Sequence, residues 1–237
     1  MISPPSRSLD HVVVALDTPE RVSFDRWCAL FGPQVGVLKV GLEAFVRWGP
    51  AAVNEARQWA RRLFLDLKLH DIPHTVGGAV SAARDLGVDY LTVHAAGGPR
   101  MLAAAQEAAG EGTKLLVVTL LTHLDEESLL TLDLEGSSTE RVSRWTALAR
   151  AEGCSGVVCS PLELVRLRQE NPSPFLLVTP GIRGLDTTAD DDQRRTASPD
   201  VALRAGADLL VIGRPLTRAP DPEAALRTLA KTLDGIG

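Results

Sequence analysis

A (β/α)8 TIM barrel, an α/β fold in a single domain spanning residues 1–237, is the fold class this sequence predicts. Three observations carry that expectation. Eight short runs rich in Val, Leu and Ile alternate with Ala-, Leu- and Arg-rich amphipathic segments. The runs are continuously apolar rather than alternating, as parallel strands covered on both faces must be. Polar residues collect where the runs end, at the carboxyl ends of the strands, which is where barrels of this type build their sites. A doubly wound open sheet is the alternative, but no G-x-G-x-x-G follows the first run, which weakens a dinucleotide-binding reading.

Taken in order, the first run covers residues 12–16 and is followed by Asp17, which is either a cap for the next helix or a site acid. The second, 37–40, contains Lys39, and an amphipathic stretch over 43–61 follows it. The third, 63–67, leads into Asp66-Leu67-Lys68-Leu69-His70-Asp71-Ile72-Pro73, a D-x-K-x-x-D pattern. Successive strand side chains point to opposite faces, so Asp66 and Lys68 share one. Ionised groups at the end of an apolar strand need a partner or a chemical task, because burying them unpaired costs free energy. The plain structural explanation is a strand-end ion pair, with Asp71 capping a helix that Pro73 opens. A helical stretch over 75–86 precedes the fourth run, 90–94, which ends in His94; another, 99–109, precedes the fifth, 115–120, followed by Thr122.

Residues 122–138 form a longer, acidic connection that predicts an extra short helix. The sixth run is 156–159 and the seventh 175–179, which ends at Thr179-Pro180-Gly181. The connection over 183–199 is long and polar, the profile of a functional lid. The eighth run, 209–212, ends at Gly213-Arg214. Each polar residue alone has a structural explanation: His94 as a satisfied core histidine, Arg214 as a surface arginine. Their collection at one end of so many strands does not.

Composition narrows the function. Hydrophobic residues make up 45% and charged residues 23%, an ordinary globular mixture. A net charge of −5 argues against a broad nucleic-acid surface. No apolar run reaches membrane-spanning length, and residues 1–10 carry Pro4, Pro5 and Arg7 without the apolar centre of a secretion signal. Cys28, Cys154 and Cys159 lack C-x-x-C or zinc spacing, which suits a reducing cytoplasm with the thiols as small core residues. The expectation is a cytoplasmic enzyme with neither nucleic-acid nor membrane partners. Loops after the seventh and eighth strands commonly hold phosphate in this fold. Here they offer Pro180-Gly181-Ile182-Arg183 and Ile212-Gly213-Arg214, glycines for backbone approach and arginines for a bidentate grip. Gln193 on the long loop adds a donor if that loop closes.

Together these segments resemble the orotidine 5′-phosphate decarboxylases. The likeness runs over 12–216, through Ala15-Leu16-Asp17, Lys39-Val40-Gly41, the Asp66–Pro73 octapeptide, Thr92-Val93-His94, Val178-Thr179-Pro180-Gly181-Ile182-Arg183, Asp192-Gln193-Arg194-Arg195 and Ile212-Gly213-Arg214. His74 departs from the asparagine more common in the family. The resemblance implies decarboxylation of orotidine 5′-monophosphate to UMP and CO2, the last step of de novo pyrimidine synthesis, with no cofactor and no metal. It implies a charged network of Lys39, Asp66, Lys68 and Asp71, with Lys68 as proton donor to C6. Asp17 and Lys39 match ribose contacts, Thr122 a contact to the pyrimidine ring, and Arg183, Gln193 and Arg214 the phosphate grip. It further implies a homodimer, in which Asp71 and the ribose-contacting Thr75 act in the partner's site. Sugar-phosphate decarboxylases of the same barrel suprafamily share D-x-K-x-x-D but use magnesium and typically carry glutamate where this chain has Lys39. A non-catalytic barrel that binds phosphorylated ligands is the remaining alternative, and an intact Asp66, Lys68 and Asp71 argue against it.

Overall fold

The computed structural model describes residues 7–134, 136–183 and 196–235. Strand β1 (Val12–Ala15) pairs in parallel with β2 (Val37–Gly41). The ladder continues through β3 (Leu63–Leu69), β4 (Tyr90–His94), β5 (Lys114–Val118), β6 (Gly156–Val158), β7 (Leu176–Thr179) and β8 (Leu209–Ile212), which pairs back onto β1. The sheet is therefore a closed parallel barrel, as the run pattern predicts.

Helix α1 (Arg21–Phe31) follows β1. Asp17 does not cap it: the cap position is Glu20, whose N–H donates to the Thr18 hydroxyl. The stretch over 43–61, expected as one segment, is two helices, α2 (Leu42–Trp48) and α3 (Pro50–Trp59). They break at Gly49, whose φ of 55° favours glycine, and Pro50 opens the second. Helix α4 (Pro73–Asp85) follows β3 with Ile72, not Asp71, at its cap; the Asp71 carboxylate accepts instead from the Ile72 N–H at 2.6 Å. Helix α5 (Gly98–Ala109) follows β4. The acidic connection after β5 holds the expected short helix, α6 (Glu126–Thr131), capped by Asp125, and then α7 (Ser138–Ala151), opened by a Ser137–Glu140 capping box. Helices α8 (Leu164–Glu170), α9 (Pro199–Arg204), α10 (Arg214–Thr217) and α11 (Pro222–Asp234) complete the shell.

Strand alternation sorts the apolar residues into two cores. Val12, Val14, Leu63, Leu65, Leu91 and Val93 point outward and pack with helix residues such as Phe24, Phe31, Met101 and Leu229. Val13, Val37, Phe64, Tyr90, Leu116, Val178 and Leu209 fill the barrel interior. Both faces are buried, which is why the runs read as unbroken. The inward residue two steps nearer the carboxyl end follows directly: Lys39 after Val37, Asp66 after Phe64, Thr92 after Tyr90. The interior thus turns from apolar to ionic along its axis.

The amino end is closed by polar clamps. Arg62 donates to the Tyr90 hydroxyl at 3.0 Å, the Asp10 carbonyl at 2.9 Å and the Gly36 carbonyl at 3.2 Å. Two Gly-x-Asp turns, before β4 and before β8, use one device. The Asp89 carboxylate accepts the Leu63 N–H and the Asp208 carboxylate the Leu177 N–H, each at 2.7 Å. Each carboxylate also pairs with an arginine, Arg57 or Arg168.

Candidate active site

The carboxyl end of the barrel opens into a cavity of about 470 Å³. Its floor is the last apolar layer of the interior, Phe64, Val118, Val158, Val178 and Val211. Its charged wall comes from the neighbouring strand ends, β1 to β3, as Asp17, Lys39, Asp66 and Lys68. The rest of the rim comes from the segments after β5, β7 and β8: Thr122, Pro180, Arg183, Gly213 and Arg214.

The wall is a chain of alternating charge. Lys39, only 6% exposed, places Nζ 3.2 Å from Asp66 Oδ2 and 3.5 Å from Asp17 Oδ2. Lys68 Nζ donates to the other Asp66 oxygen at 2.8 Å. Asp66 is thus held between two ammonium groups, and Thr92 donates a further hydrogen bond to it at 2.9 Å. Burial works against ionisation of Asp66, but Lys39, Lys68 and the hydrogen bonds from Lys68 and Thr92 outweigh it and hold its pKa at about 2. Burial also opposes the charge on Lys39; Asp66 and then Asp17 outweigh it, and its pKa is raised. Asp17 reaches Lys39 only because position 41 is glycine: a Cβ there would stand 2.3 Å from the Asp17 carboxylate. The site therefore presents positive charge beside an acid that is ionised at neutral pH, a field able to stabilise an anion that develops next to Lys68.

Asp17, Lys39, Asp66, Lys68, Thr122, Pro180, Arg183, Gly213 and Arg214, all read from the sequence as site residues, line one cavity. Asp71 and Thr75 do not line it; both are exposed, Asp71 just before α4 and Thr75 in its first turn. Gln193 and most of the 183–199 connection lie outside the described residues. Three other polar residues at strand ends serve the fold. Thr119 donates to the Val158 carbonyl, and Thr179 is buried against Cys159. His94 accepts from the Ala96 N–H, stacks on His70 with ring centres 5.4 Å apart and meets Trp145 edge-on. Burial, then the charges of His70 and Lys68, lower its pKa.

The sequence reading passed over Glu43, Thr217 and Arg218 on the rim and the whole apolar floor. The floor was available from the period of two, since Phe64, Val178 and Val211 stand two residues before Asp66, Pro180 and Gly213. Arg218 stands four residues after Arg214, one helical turn, so the two share a side. The three cysteines are free and buried, and burial pushes the Cys28 and Cys154 thiols up to about 12. Among the described residues no group of three or more His, Cys, Asp or Glu is placed to hold a metal ion, and no helix is long and apolar enough to cross a membrane.

Residues 10–229 match the family model described as orotidine 5′-phosphate decarboxylase / HUMPS family. The chain is 50% identical to the orotidine 5′-phosphate decarboxylase of Thermobifida fusca over 95% of its own length and 97% of that protein. It is 48% identical to the enzyme of the same name from Anaeromyxobacter sp. (strain K), over 94% of this chain and 98% of that one. Among solved structures, orotidine 5′-phosphate decarboxylase from Lactobacillus acidophilus superposes with a TM-score of 0.80 at 34% identity, covering 94% of this chain and 98% of that chain.

Proposed function

Because the chain belongs to the orotidine 5′-phosphate decarboxylase / HUMPS family, we propose that its barrel-mouth cavity converts orotidine 5′-monophosphate to UMP and CO2, the final step of de novo pyrimidine biosynthesis. The observation that carries the reading is Asp66 between Lys39 and Lys68, at 3.2 and 2.8 Å, in a cavity that Arg183 and Arg214 also line.

In this reading the arginine rim, with Gln193, takes the phosphate, Asp17 and Lys39 take the ribose, and Thr122 with the apolar floor takes the pyrimidine. The bond from C6 to its carboxylate then breaks. CO2 leaves, and the electron pair stays on C6. The Lys68 ammonium stabilises that carbanion and then gives it a proton. Asp66 has two roles compatible with its position. It keeps Lys39 charged and Lys68 aimed, and it repels the substrate carboxylate. Two unit charges about 4 Å apart interact by about 4 kcal/mol at an effective dielectric near 20. The phosphate, remote from the reacting carbon, supplies binding energy that is used there.

Asp71 and Thr75 lie exposed outside the cavity of their own chain, a placement that suits a homodimer in which they complete the partner's site. A cytoplasmic location belongs to the same reading. The sugar-phosphate decarboxylases are disfavoured by Lys39, which stands where they typically carry glutamate.

A spectrophotometric assay with orotidine 5′-monophosphate, run with and without a chelator, tests the proposal. Turnover unaffected by the chelator is expected. No absorbance change with protein in excess over substrate points to a non-catalytic barrel, and magnesium-dependent turnover of a sugar phosphate points to the rival enzyme.

A further inference from the structure

Lys68 has a φ of 50°, in the left-handed region that residues with a side chain rarely adopt. The cause lies in the ladder between β3 and β4. Leu65 is paired with Leu91, but the next pair is Leu69 with Val93. Asp66, Leu67 and Lys68 therefore bulge opposite one residue of β4, which is Thr92. Such bulges re-aim side chains beside active sites.

Thr92 has no solvent exposure. Its hydroxyl oxygen accepts the Lys68 backbone N–H at 2.9 Å and donates its proton to Asp66 Oδ1, also at 2.9 Å. Asp66 Oδ1 is the same oxygen that receives the Lys68 ammonium. One hydroxyl thus closes a ring through the backbone of Lys68, its side chain and the carboxylate that holds it. A threonine that merely filled the interior would need neither bond, since Val13, Val37 and Leu116 fill that core with hydrocarbon alone.

We infer that Thr92 is a positioning residue: its hydroxyl holds the bulge of β3 in the one backbone conformation that sends both Asp66 and Lys68 into the cavity. The inference rests on the proposed role of Lys68 as proton donor. The hydroxyl acts through Lys68 and leaves the phosphate and ribose contacts alone, so its removal affects turnover rather than binding. Asp66 also loses one of the hydrogen bonds that favour its ionised form.

The test compares Thr92→Val, which keeps the shape and removes the hydroxyl, with Thr92→Ser, which keeps the hydroxyl. For each, kcat and KM with orotidine 5′-monophosphate are measured alongside hydrogen exchange at the Lys68 amide in the ligand-free protein. Thr92→Val is expected to lower kcat about 100-fold, the scale of a catalytic group misplaced by about 1 Å. KM should stay within about threefold, and the Lys68 amide should lose its protection. Thr92→Ser should recover most of the turnover and the protection. Wild-type kcat in Thr92→Val, or equal losses in the valine and serine variants, overturns the inference. If Thr92→Val does not fold, Thr92→Ala replaces it under the same criteria. If the wild-type protein does not turn over orotidine 5′-monophosphate, the decarboxylase reading fails by itself. Exchange at Lys68 then still decides the role of Thr92, because protection unchanged in the valine variant overturns it.

Discussion

Replacing Asp66 with asparagine keeps the shape of the side chain and removes the one charge that Lys39 and Lys68 share. Two effects follow, and the structure sizes both. At neutral pH the variant leaves Lys39 buried, with Asp17 at 3.5 Å as its remaining acid. Removing one partner of a buried ion pair costs about 3–5 kcal/mol. The second effect depends on pH. The Asp66 carboxyl is held at about 2 in the folded chain against an ordinary 3.8. At about 1.4 kcal/mol per pH unit, that gap corresponds to about 2–3 kcal/mol. The folded-state value is the lower one, so the contribution is fully present above about pH 4 and is lost as pH falls towards 2. Urea unfolding of wild type and Asp66→Asn from pH 8 down to pH 2.5, at one protein concentration, reads both effects. The stability gap should be constant between pH 8 and 5 and narrow below 4. A gap that stays flat to pH 2.5, or a variant more stable than wild type at neutral pH, would refute the picture of Asp66 as an acid kept ionised by its two lysines.

Three further outcomes follow from the proposed roles. Lys68→Ala should keep the fold and lose more than about 1000-fold in turnover, since it removes the proton source and the stabilising charge together; near-native turnover in a folded variant ends the assignment. Asp71→Asn and Lys68→Ala, each inactive alone, should regain activity on mixing, up to about a quarter of wild type for random exchange into dimers with one intact site. Verified subunit exchange with no recovery removes Asp71 from the partner's site. Arg214→Ala and Gln193→Ala should each lower kcat/KM about 100-fold or more on the phosphorylated substrate and scarcely change the slow decarboxylation of one lacking the phosphate; equal losses on both place these residues on the ring or in the fold instead.

The barrel was legible because strand periodicity is local. Eight apolar runs mark eight strands, and an inward step of two from Val37 or Phe64 lands on Lys39 or Asp66. Helix boundaries were less legible, although Gly49-Pro50 is itself a break signal that the amphipathic pattern across it concealed. Asp71 looked like a helix cap because the spacing to Pro73 allows one, but the chain reaches α4 through Ile72. Thr119, Thr179 and His94 share their strand ends with the site residues, and only tertiary contacts show that they serve the fold. Thr92 was illegible as a functional group for the opposite reason. Its importance comes from a mismatch in pairing between two strands, and neither strand carries that mismatch in its own pattern.

The two Gly-x-Asp clamps sit four strands apart in a ring of eight, so each half of the chain fastens its own pair of strands at the end away from the chemistry. The barrel is held from below, twice, by interchangeable fittings. The loops at its upper end take no part in these two clamps, so they can vary without touching them. Hybrid barrels cut between β4 and β5 would keep one complete clamp in each fragment. That makes this seam the natural place to recombine the chain with a relative, with the charged wall inherited whole from the first fragment and the arginine rim from the second.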